Sequence, residues 1–316
     1  MNSILTIDTE DWPQLMCSYL GREVPVSGQF ASSTRRTLNL LERFAAKATF
    51  FVVAPHAERE PEVVREIAQR GHEVASHGWA HAKLANFTAE SFAEDIRRSN
   101  DVLEGICGQR VRGYRAPFFS LLPEQTWAFE VMADCGLDYD SSLTTLLWQH
   151  EGIDLPDAPF LCVLPDGREI LEIPALARKV GPITGRLIGG RTLRVLPPRI
   201  WRAHMREREA SDLPAMVYVH SYEVTPDRLM RYVPEGPGLA ERLKLTLSAK
   251  AFELGMGRME NSLKELLETH QWTTMAGAAD DLRERGNLPV VNLTAQGDVE
   301  VPAARADGDL KGEISE

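Results

Sequence analysis

Two histidines, His77 and His81, stand four residues apart in a short segment of the chain. If this segment turns helically, residues with that spacing share a face, so both imidazole rings can point at one site. Neutral imidazole is a good zinc ligand, and a catalytic zinc usually has three protein ligands and a water. The pair could supply two of these ligands, although such a pair also arises by chance in a chain with 8 histidines.

Three carboxylates follow the first apolar run of the chain. The run Ser3–Ile7 predicts a strand, and Asp8, Glu10 and Asp11 come directly after it. Parallel sheets and (β/α) barrels place their chemistry at the carboxyl ends of strands. The cluster is therefore a candidate for the site, and an acidic loop that caps the next helix is the alternative.

Two further polar side chains also come at the ends of predicted strands. Arg115 follows the apolar run 110–114, and His220 follows the run 215–219. A lone arginine at such a position usually pairs with a carboxylate, and a lone histidine is more often structural or solvated. All of these strand ends would meet at one mouth of a parallel sheet, which predicts a common site.

Apolar runs alternate with helical patterns along most of the chain. Strands are predicted at residues 3–7, 48–53, 73–75, 110–114, 137–142, 170–174, 215–219, 272–275 and 288–293. Alternation of this kind predicts an α/β fold with a parallel sheet and right-handed crossovers.

A stretch rich in glycine and proline near residues 175–200 predicts a long insertion in a single domain that covers residues 1–294. Long ordered loops in compact domains are usually functional. The insertion carries Arg186, Arg191 and Arg194. These arginines could meet an anionic group of a substrate, and a solvated surface loop is the alternative.

The composition argues against several classes of protein. The net charge is −11 and the pI about 5.3, without a basic stripe, which argues against nucleic acid as a partner. No apolar run is long enough for a membrane span, and the N-terminus lacks a secretory signal pattern. With 4 scattered cysteines we expect reduced thiols in a cytoplasmic protein. The acidic segment 295–316 predicts a disordered tail.

Four of these motifs, in this order, resemble those of the metal-dependent polysaccharide deacetylases. This is carbohydrate esterase family four, which includes the nodulation-type chitooligosaccharide deacetylases. The first motif is matched by Thr6–Asp11, the second by His77–His81, the third by Arg115–Phe119 and the fifth by Val217–His220. The diffuse fourth motif is placed only loosely, at Asp138–Ser142.

The resemblance covers about residues 3–285 and implies a distorted (β/α)7-type barrel, with the catalytic mouth at the carboxyl ends of its strands. It implies a divalent metal, zinc first with cobalt or nickel as alternatives. The implied ligands are His77, His81 and either Glu10 or Asp11.

The resemblance also implies catalytic roles for Asp8, Arg115 and His220. Asp8 would be the general base, and Arg115 would pair with it and keep it ionised. His220 would protonate the leaving amine, with Asp138 or Asp140 as its acidic partner. A backbone N–H in the third motif could stabilise the oxyanion.

Large side chains near the same strand ends could stack against sugar rings. These candidate substrate-binding residues are Trp12, Trp79, Pro117, Phe118 and Tyr222, together with Phe119. Ordinary core packing is the alternative for each of them.

The chain departs from the common Asp-Asp first motif and has Gly78 at the Ser/Thr position of the second. The first motif resembles a subgroup that contains exopolysaccharide-linked enzymes, deformylases and allantoinase-like hydrolases. Together with Glu172–Pro174 and Val219–Val224, it looks most like the exopolysaccharide-linked branch.

The predicted function is therefore removal of an N-acetyl group from an amino sugar in a polysaccharide, an oligosaccharide or a lipid-linked precursor at the inner membrane face. Three alternatives stay open: an amidohydrolase such as a deformylase, a carbohydrate-binding barrel without turnover, and a phosphatase that uses Asp8. The oligomeric state is left open, and an oligomer is possible.

Overall fold

The computed structural model describes residues 1–12, 28–175, 177–180, 183–186, 189–224 and 238–302. Most of the predicted loop 13–31 and the last part of the predicted tail, 303–316, lie outside these residues. Among the described helices, none has both the length and the apolar composition that crossing a membrane requires.

Thirteen strands are described: β1 Ser3–Thr9, β2 Thr49–Val52, β3 Glu73–Ser76, β4 Gly113–Tyr114, β5 Tyr139–Asp140, β6 Phe160–Val163, β7 Glu169–Glu172, β8 Ala177–Val180, β9 Ile183–Arg186, β10 Met216–His220, β11 Trp272–Thr273, β12 Val290–Leu293 and β13 Val299–Glu300.

The α-helices of the described residues are α1 Gln29–Arg43, α2 Ala54–Arg59, α3 Pro61–Gln69, α4 Ala89–Cys107, α5 Trp127–Asp134, α6 Thr145–His150, α7 Gly190–Val195, α8 Pro198–Ala210, α9 Leu239–Glu253, α10 Met256–Thr269 and α11 Met275–Arg285. Single 3₁₀ turns occur at Leu84–Asn86, Pro117–Phe119, Pro123–Gln125 and Ser221–Val224.

Seven strands form a continuous parallel array in the order β10-β1-β2-β3-β4-β5-β7. Helices connect most of these strands along the chain. The α/β prediction is therefore confirmed, and a (β/α)7 barrel accounts for the number and direction of these strands. Because the strands are parallel, their carboxyl ends lie together, and Asp8 pairs in register with both His220 and Phe51.

Beyond β7 the sheet continues through β6, β12 and β13. The segment 143–169, predicted to be a loop, instead contains α6 and the strand β6, which runs antiparallel to β7. The predicted strand 288–293 is present as β12 and pairs parallel with β6.

The predicted insertion near residues 175–200 is more regular than a loop. It holds the antiparallel hairpin of β8 and β9, followed by the short helix α7. The predicted disordered tail also begins too early, because β13 pairs with β12 and extends the folded chain past residue 294. The composition of this segment is polar, but its backbone hydrogen bonds to β12 hold it in an ordered conformation.

Side chains of the parallel strands alternate between the interior of the barrel and the outer helical layer. On β1, Leu5 and Ile7 join the larger outer core, whereas Ile4 joins an inner cluster. Because successive side chains point to opposite faces, Asp8 follows Ile4 on the inner face. Residues of α11, including Met275, belong to this inner cluster too.

The interior is tightly filled where β4 and β5 meet. Tyr139 is fully buried and donates its hydroxyl hydrogen to Oε1 of Glu73, at 2.8 Å. A Cβ atom on Gly113 would lie 1.9 Å from the Tyr139 ring. The ring therefore requires a glycine at residue 113.

We expect Gly113→Ala to lower the free energy of unfolding by about 2 kcal/mol or more, because overpacking forces the ring or the strand to move. Urea denaturation measures this change. Gly105→Ala is the matched control: Gly105 lies in α4 with open space around its Cβ position, so alanine should stabilise the helix by up to about 1 kcal/mol. Equal stability of both variants would contradict the tight packing.

Candidate active site

Glu10 lies at the centre of the strand ends. Its Oε1 atom is 3.3 Å from Nε2 of His77, 3.4 Å from Nε2 of His81 and 3.9 Å from Nε2 of His220. Glu10 is buried, as are His77 and His81. The first motif left Glu10 and Asp11 open as metal ligands, and the fold turns Glu10 towards the histidines.

Two groups of side chains in the described part of the chain could hold a metal ion. One is Glu10 with His77 and His81, and the other is Asp8 with Glu10 and His220. Asp11 belongs to neither group. Asp11 is buried as well, at 3% exposure.

The tautomer of His77 follows from its hydrogen bond to the third motif. Its Nδ1 lies 2.7 Å from the carbonyl oxygen of Arg115. A carbonyl only accepts, so Nδ1 carries the hydrogen and Nε2 presents a lone pair towards Glu10. This is the arrangement that orients an imidazole for binding a metal.

The two histidines converge without the helical turn that their spacing predicted. The segment 77–81 is irregular, with left-handed backbone at Gly78 (φ 79°) and at His81 (φ 49°). The ring centroids of His77 and His81 are 5.2 Å apart. The predicted convergence is therefore correct, but tertiary contacts rather than helical periodicity produce it.

Asp95 of α4 provides those contacts. Its two carboxylate oxygens accept hydrogen bonds from the backbone N–H groups of Trp79 and Ala80, each at 2.8 Å. A Cβ atom on Gly78 would lie 2.9 Å from Oδ2 of Asp95. This close approach and the positive φ explain why glycine occupies the Ser/Thr position of the second motif.

The Glu10, His77 and His81 group fits a divalent metal. Nε2 of His81 is buried and has no hydrogen-bond partner among the described residues. Burial opposes the charge of Glu10, but the neighbouring His81, with His77 and His220, outweighs it and holds the pKa of Glu10 well below its ordinary value. One carboxylate and two imidazoles are a common zinc ligand set.

Asp8 and Arg115 form a buried ion pair, as the resemblance implied. Nη1 of Arg115 donates to Oδ1 of Asp8 at 2.6 Å and also to Oγ1 of Thr6 at 2.9 Å. Nη2 donates to Oγ of Ser141 at 3.1 Å. The guanidinium also lies over the Phe51 ring, with 4.1 Å between Cζ and the centroid. These contacts fix the Asp8 carboxylate.

The acidic partner of His220 is Glu223, and not Asp138 or Asp140 as predicted. Nδ1 of His220 lies 3.1 Å from Oε2 of Glu223. Asp138 instead pairs with two arginines on the surface, and Asp140 accepts a hydrogen bond from Ser142. A partner three residues along the chain was missed because strand patterns do not reveal the 3₁₀ turn after β10.

The charge on His220 is stabilised by this partner. Burial lowers the pKa of His220, but the charge and hydrogen bond of Glu223, with help from Glu10 and Asp8, raise it to about 9. Glu223 is itself held by Arg194, whose Nη2 is 2.8 Å from its Oε1. His220 also stacks on Tyr222, with ring centroids 4.9 Å apart.

A cleft opens over Asp8, Glu10 and His220, and its walls are largely aromatic. Described residues that line it include Phe118, Phe119, Tyr218, Tyr222, Phe252, Arg191, Arg194 and Glu223. Phe118 is 43% exposed and has a positive φ of 64°. A left-handed backbone at a bulky residue is strained and is found most often at functional sites.

Three of the six predicted substrate-binding residues, Phe118, Phe119 and Tyr222, line the described part of this cleft. Trp12 is fully buried and packs edge-on against Tyr222 from behind. Trp79 lies under the guanidinium of Arg98, 3.5 Å from its ring centroid, and Pro117 is buried. Core packing therefore accounts for these three side chains.

Tyr218 and Phe252 line the cleft but were not among the residues predicted to do so. Tyr218 precedes His220 by two positions, and the period-two alternation of β10 could have placed it on the same face. Phe252 comes from α9, and no local pattern links it to the site.

Two family models match consecutive parts of the chain. Residues 24–139 match the model described as polysaccharide deacetylase. Residues 141–280 match a domain of unknown function, DUF3473. The first match contains His77, His81 and Arg115, and the second contains His220 and Glu223.

Curated relatives also match parts of the chain. A peptidoglycan-N-acetylglucosamine deacetylase of Bacillus cereus is 31% identical over 98 residues, which are 31% of this chain and 36% of that protein. A chitooligosaccharide deacetylase of Rhizobium leguminosarum bv. trifolii is 26% identical over 190 residues, 57% of this chain and 84% of that protein. The chain thus spans about a third of the length of the Bacillus cereus relative.

Two solved structures match almost the whole chain. A candidate polysaccharide deacetylase from Mycobacterium smegmatis has a TM-score of 0.58 at 21% identity and covers 90% of this chain and 92% of its own. The Puue allantoinase has a TM-score of 0.53 at 18% identity, with coverages of 90% and 89%. At these identities the likeness shows a shared fold. The matches together confirm the resemblance predicted from the four motifs.

We expect one divalent metal ion per chain, lost in the double variant His77→Ala/His81→Ala, because that variant removes two of the three facing ligands. Elemental analysis of purified protein measures the metal content. His270→Ala, at the partly exposed end of α10, is the control and should keep its metal. Chelation should also lower the melting temperature of the unaltered protein and not that of the double variant. Full metal content in the double variant would refute this centre.

Proposed function

Because the chain belongs to the polysaccharide deacetylase family, we propose that it is a metal-dependent hydrolase that removes N-acetyl groups from an amino sugar in a polysaccharide. The observation that carries the proposal is the convergence of Asp8, Glu10, His77, His81 and His220 at the floor of one aromatic cleft. A binding protein without turnover would not require a buried carboxylate base and a charged histidine next to a metal ligand set.

The proposed metal ligands are Glu10, His77 and His81, and zinc suits this ligand set best. A divalent metal bound there supplies a Lewis acid and lowers the pKa of a water towards about 7. The protein holds this ligand set rigidly, because Arg115 orients His77 and Asp95 orients the loop that carries His81.

Asp8 is the proposed general base. Arg115 donates to its Oδ1 atom at 2.6 Å, which fixes the carboxylate and leaves Oδ2 to accept the proton of the attacking water. Asp8 lies on the same inner face of the barrel as its register partner His220. Base and acid therefore lie side by side at the floor of the cleft, with polar atoms within 4.8 Å of each other.

His220 is the proposed general acid. Its Nδ1 is engaged by Glu223, so Nε2 is the atom that donates a proton to the leaving nitrogen. Nε2 lies 3.9 Å from Glu10, which places the acid beside the proposed metal ligands. Without this proton the nitrogen would have to leave as an amine anion, which is a poor leaving group. Protonation by His220 is therefore needed for cleavage of the C–N bond.

Phe118 is the proposed donor to the oxyanion. Within the third motif Pro117 has no N–H group, and the N–H groups of Arg115 and Ala116 are bonded to Ser76 and Ser142. The next residue, Phe118, has a left-handed backbone and lines the cleft, so its N–H group is the remaining backbone candidate of this motif. Backbone donors of this kind stabilise the developing charge of a tetrahedral intermediate.

We expect the metal-loaded protein to release acetate from N-acetylglucosamine oligomers. Asp8→Asn should lower kcat by about 10²–10⁴-fold, because a positioned general base contributes an effect of that size. Asp101→Asn is the control, since Asp101 is exposed on α4. Acetate release can be followed with a coupled enzymatic assay.

Release that survives both chelation and His77→Ala would refute the proposed centre. Metal-dependent hydrolysis of a small formamide, with no acetate released from any glycan, would favour an amidohydrolase instead. Glycan binding that is unchanged by chelation and yields no product would favour a binding protein.

A further inference from the structure

The short helix α7 is packed directly onto the strand that carries His220. Gly189, just before α7, forms a parallel bridge with Tyr218 of β10. A Cβ atom at Gly189 would lie 1.9 Å from the Tyr218 ring, and one at Gly190 would lie 3.2 Å from Oε2 of Glu223. The two consecutive glycines therefore allow a close approach that side chains would prevent.

A buried ion pair holds α7 in this position. Arg194 is 2% exposed and contacts Glu223 through Nε at 3.0 Å and Nη2 at 2.8 Å. Its Nη1 donates to the carbonyl oxygens of Phe252 and of Leu254, the latter at 3.1 Å. Because Glu223 also binds His220, helix and active site form one rigid unit.

Arg191 lies on the same helix and lines the same cleft as Asp8, Glu10 and His220. Unlike Arg194, it is exposed and makes no ion pair with any residue that the structure describes. A long cationic side chain is thus held beside the reacting groups without a counter-charge from the described protein.

The acidic groups of the cleft do not need Arg191 for charge balance. Each described carboxylate that lines the cleft already has a role: Asp8 pairs with Arg115, Glu223 pairs with Arg194, and Glu10 faces His77 and His81 as a proposed metal ligand. Arg191 is therefore the unbalanced charge of the described cleft, in a chain whose net charge is −11. It favours an anion in the ligand.

We propose that Arg191 binds a carboxylate of the substrate, so that the enzyme prefers a glycan in which an acidic sugar accompanies the N-acetylated one. This inference rests on the proposed deacetylase function and specifies its substrate class. A guanidinium matches a carboxylate with two parallel hydrogen bonds, and the pair is stronger where surrounding walls limit solvent. The aromatic walls formed by Phe118 and Tyr218 provide such surroundings.

The test compares three substrates with the metal-loaded full chain. These are a neutral N-acetylglucosamine oligomer, an oligomer that alternates N-acetylglucosamine with a uronic acid, and an oligomer whose amino sugar carries a lactyl ether. Comparison of the two acidic oligomers distinguishes a carboxylate on a neighbouring sugar from one on the reacting sugar.

Arg191→Ala should lower kcat/KM for the preferred acidic oligomer about tenfold more than for the neutral one, chiefly through KM, because a charge-assisted contact is lost. Arg191→Lys should recover part of the difference. Arg199→Ala, an exposed arginine of α8 outside the described cleft lining, is the matched control and should leave the ratio unchanged.

Equal effects of Arg191→Ala on acidic and neutral oligomers, or no effect on either, would overturn the inference while leaving the deacetylase function intact. If no oligomer releases acetate, the proposed function fails by itself. Calorimetric binding of the uronate oligomer then decides the inference: tighter binding to the unaltered protein than to Arg191→Ala supports it, and equal binding overturns it.

Discussion

The buried ion pair between Asp8 and Arg115 is the interaction on which the rest of the site depends. Removing two charges from water costs several kcal/mol per ion, so such a pair persists only when its other hydrogen-bonding groups are satisfied. Arg115 meets this condition with donors to Thr6 and Ser141 and with aromatic rings against its guanidinium. Its own carbonyl oxygen orients His77. The residue directly after β4 thereby connects the base on β1 to the proposed metal ligands after β3.

The site also joins the two parts of the chain that match different family models. The deacetylase match supplies His77, His81 and Arg115, while His220 and Glu223 come from the stretch that matches the domain of unknown function. β10 completes the parallel array beside β1, so the second stretch forms a wall of the same barrel. Its helix α7 and the Arg194–Glu223 pair give the cleft features that the four shared motifs do not encode.

Position in the fold explains why some predicted residues line the cleft and others do not. Asp8 and His220 lie at the carboxyl ends of strands, Arg115 comes directly after one, and the alternation of the strand puts such side chains on the inner face. Trp12 and Trp79 are as close in sequence to the motifs, but they follow turns that direct them to the core and to the outer layer. Aromatic character alone therefore did not distinguish a cleft wall from packing.

The sequence by itself determined the α/β class, most of the strands, and the residues Asp8, Glu10, His77, His81, Arg115 and His220, because strand periodicity and motif spacing are local properties of the chain. Only the tertiary structure decided that Glu10 and not Asp11 faces the histidines, that Glu223 is the partner of His220, and that Arg191 stands in the cleft. Each of these depends on contacts between segments far apart in sequence or on a turn whose direction packing sets. No local pattern specifies such contacts.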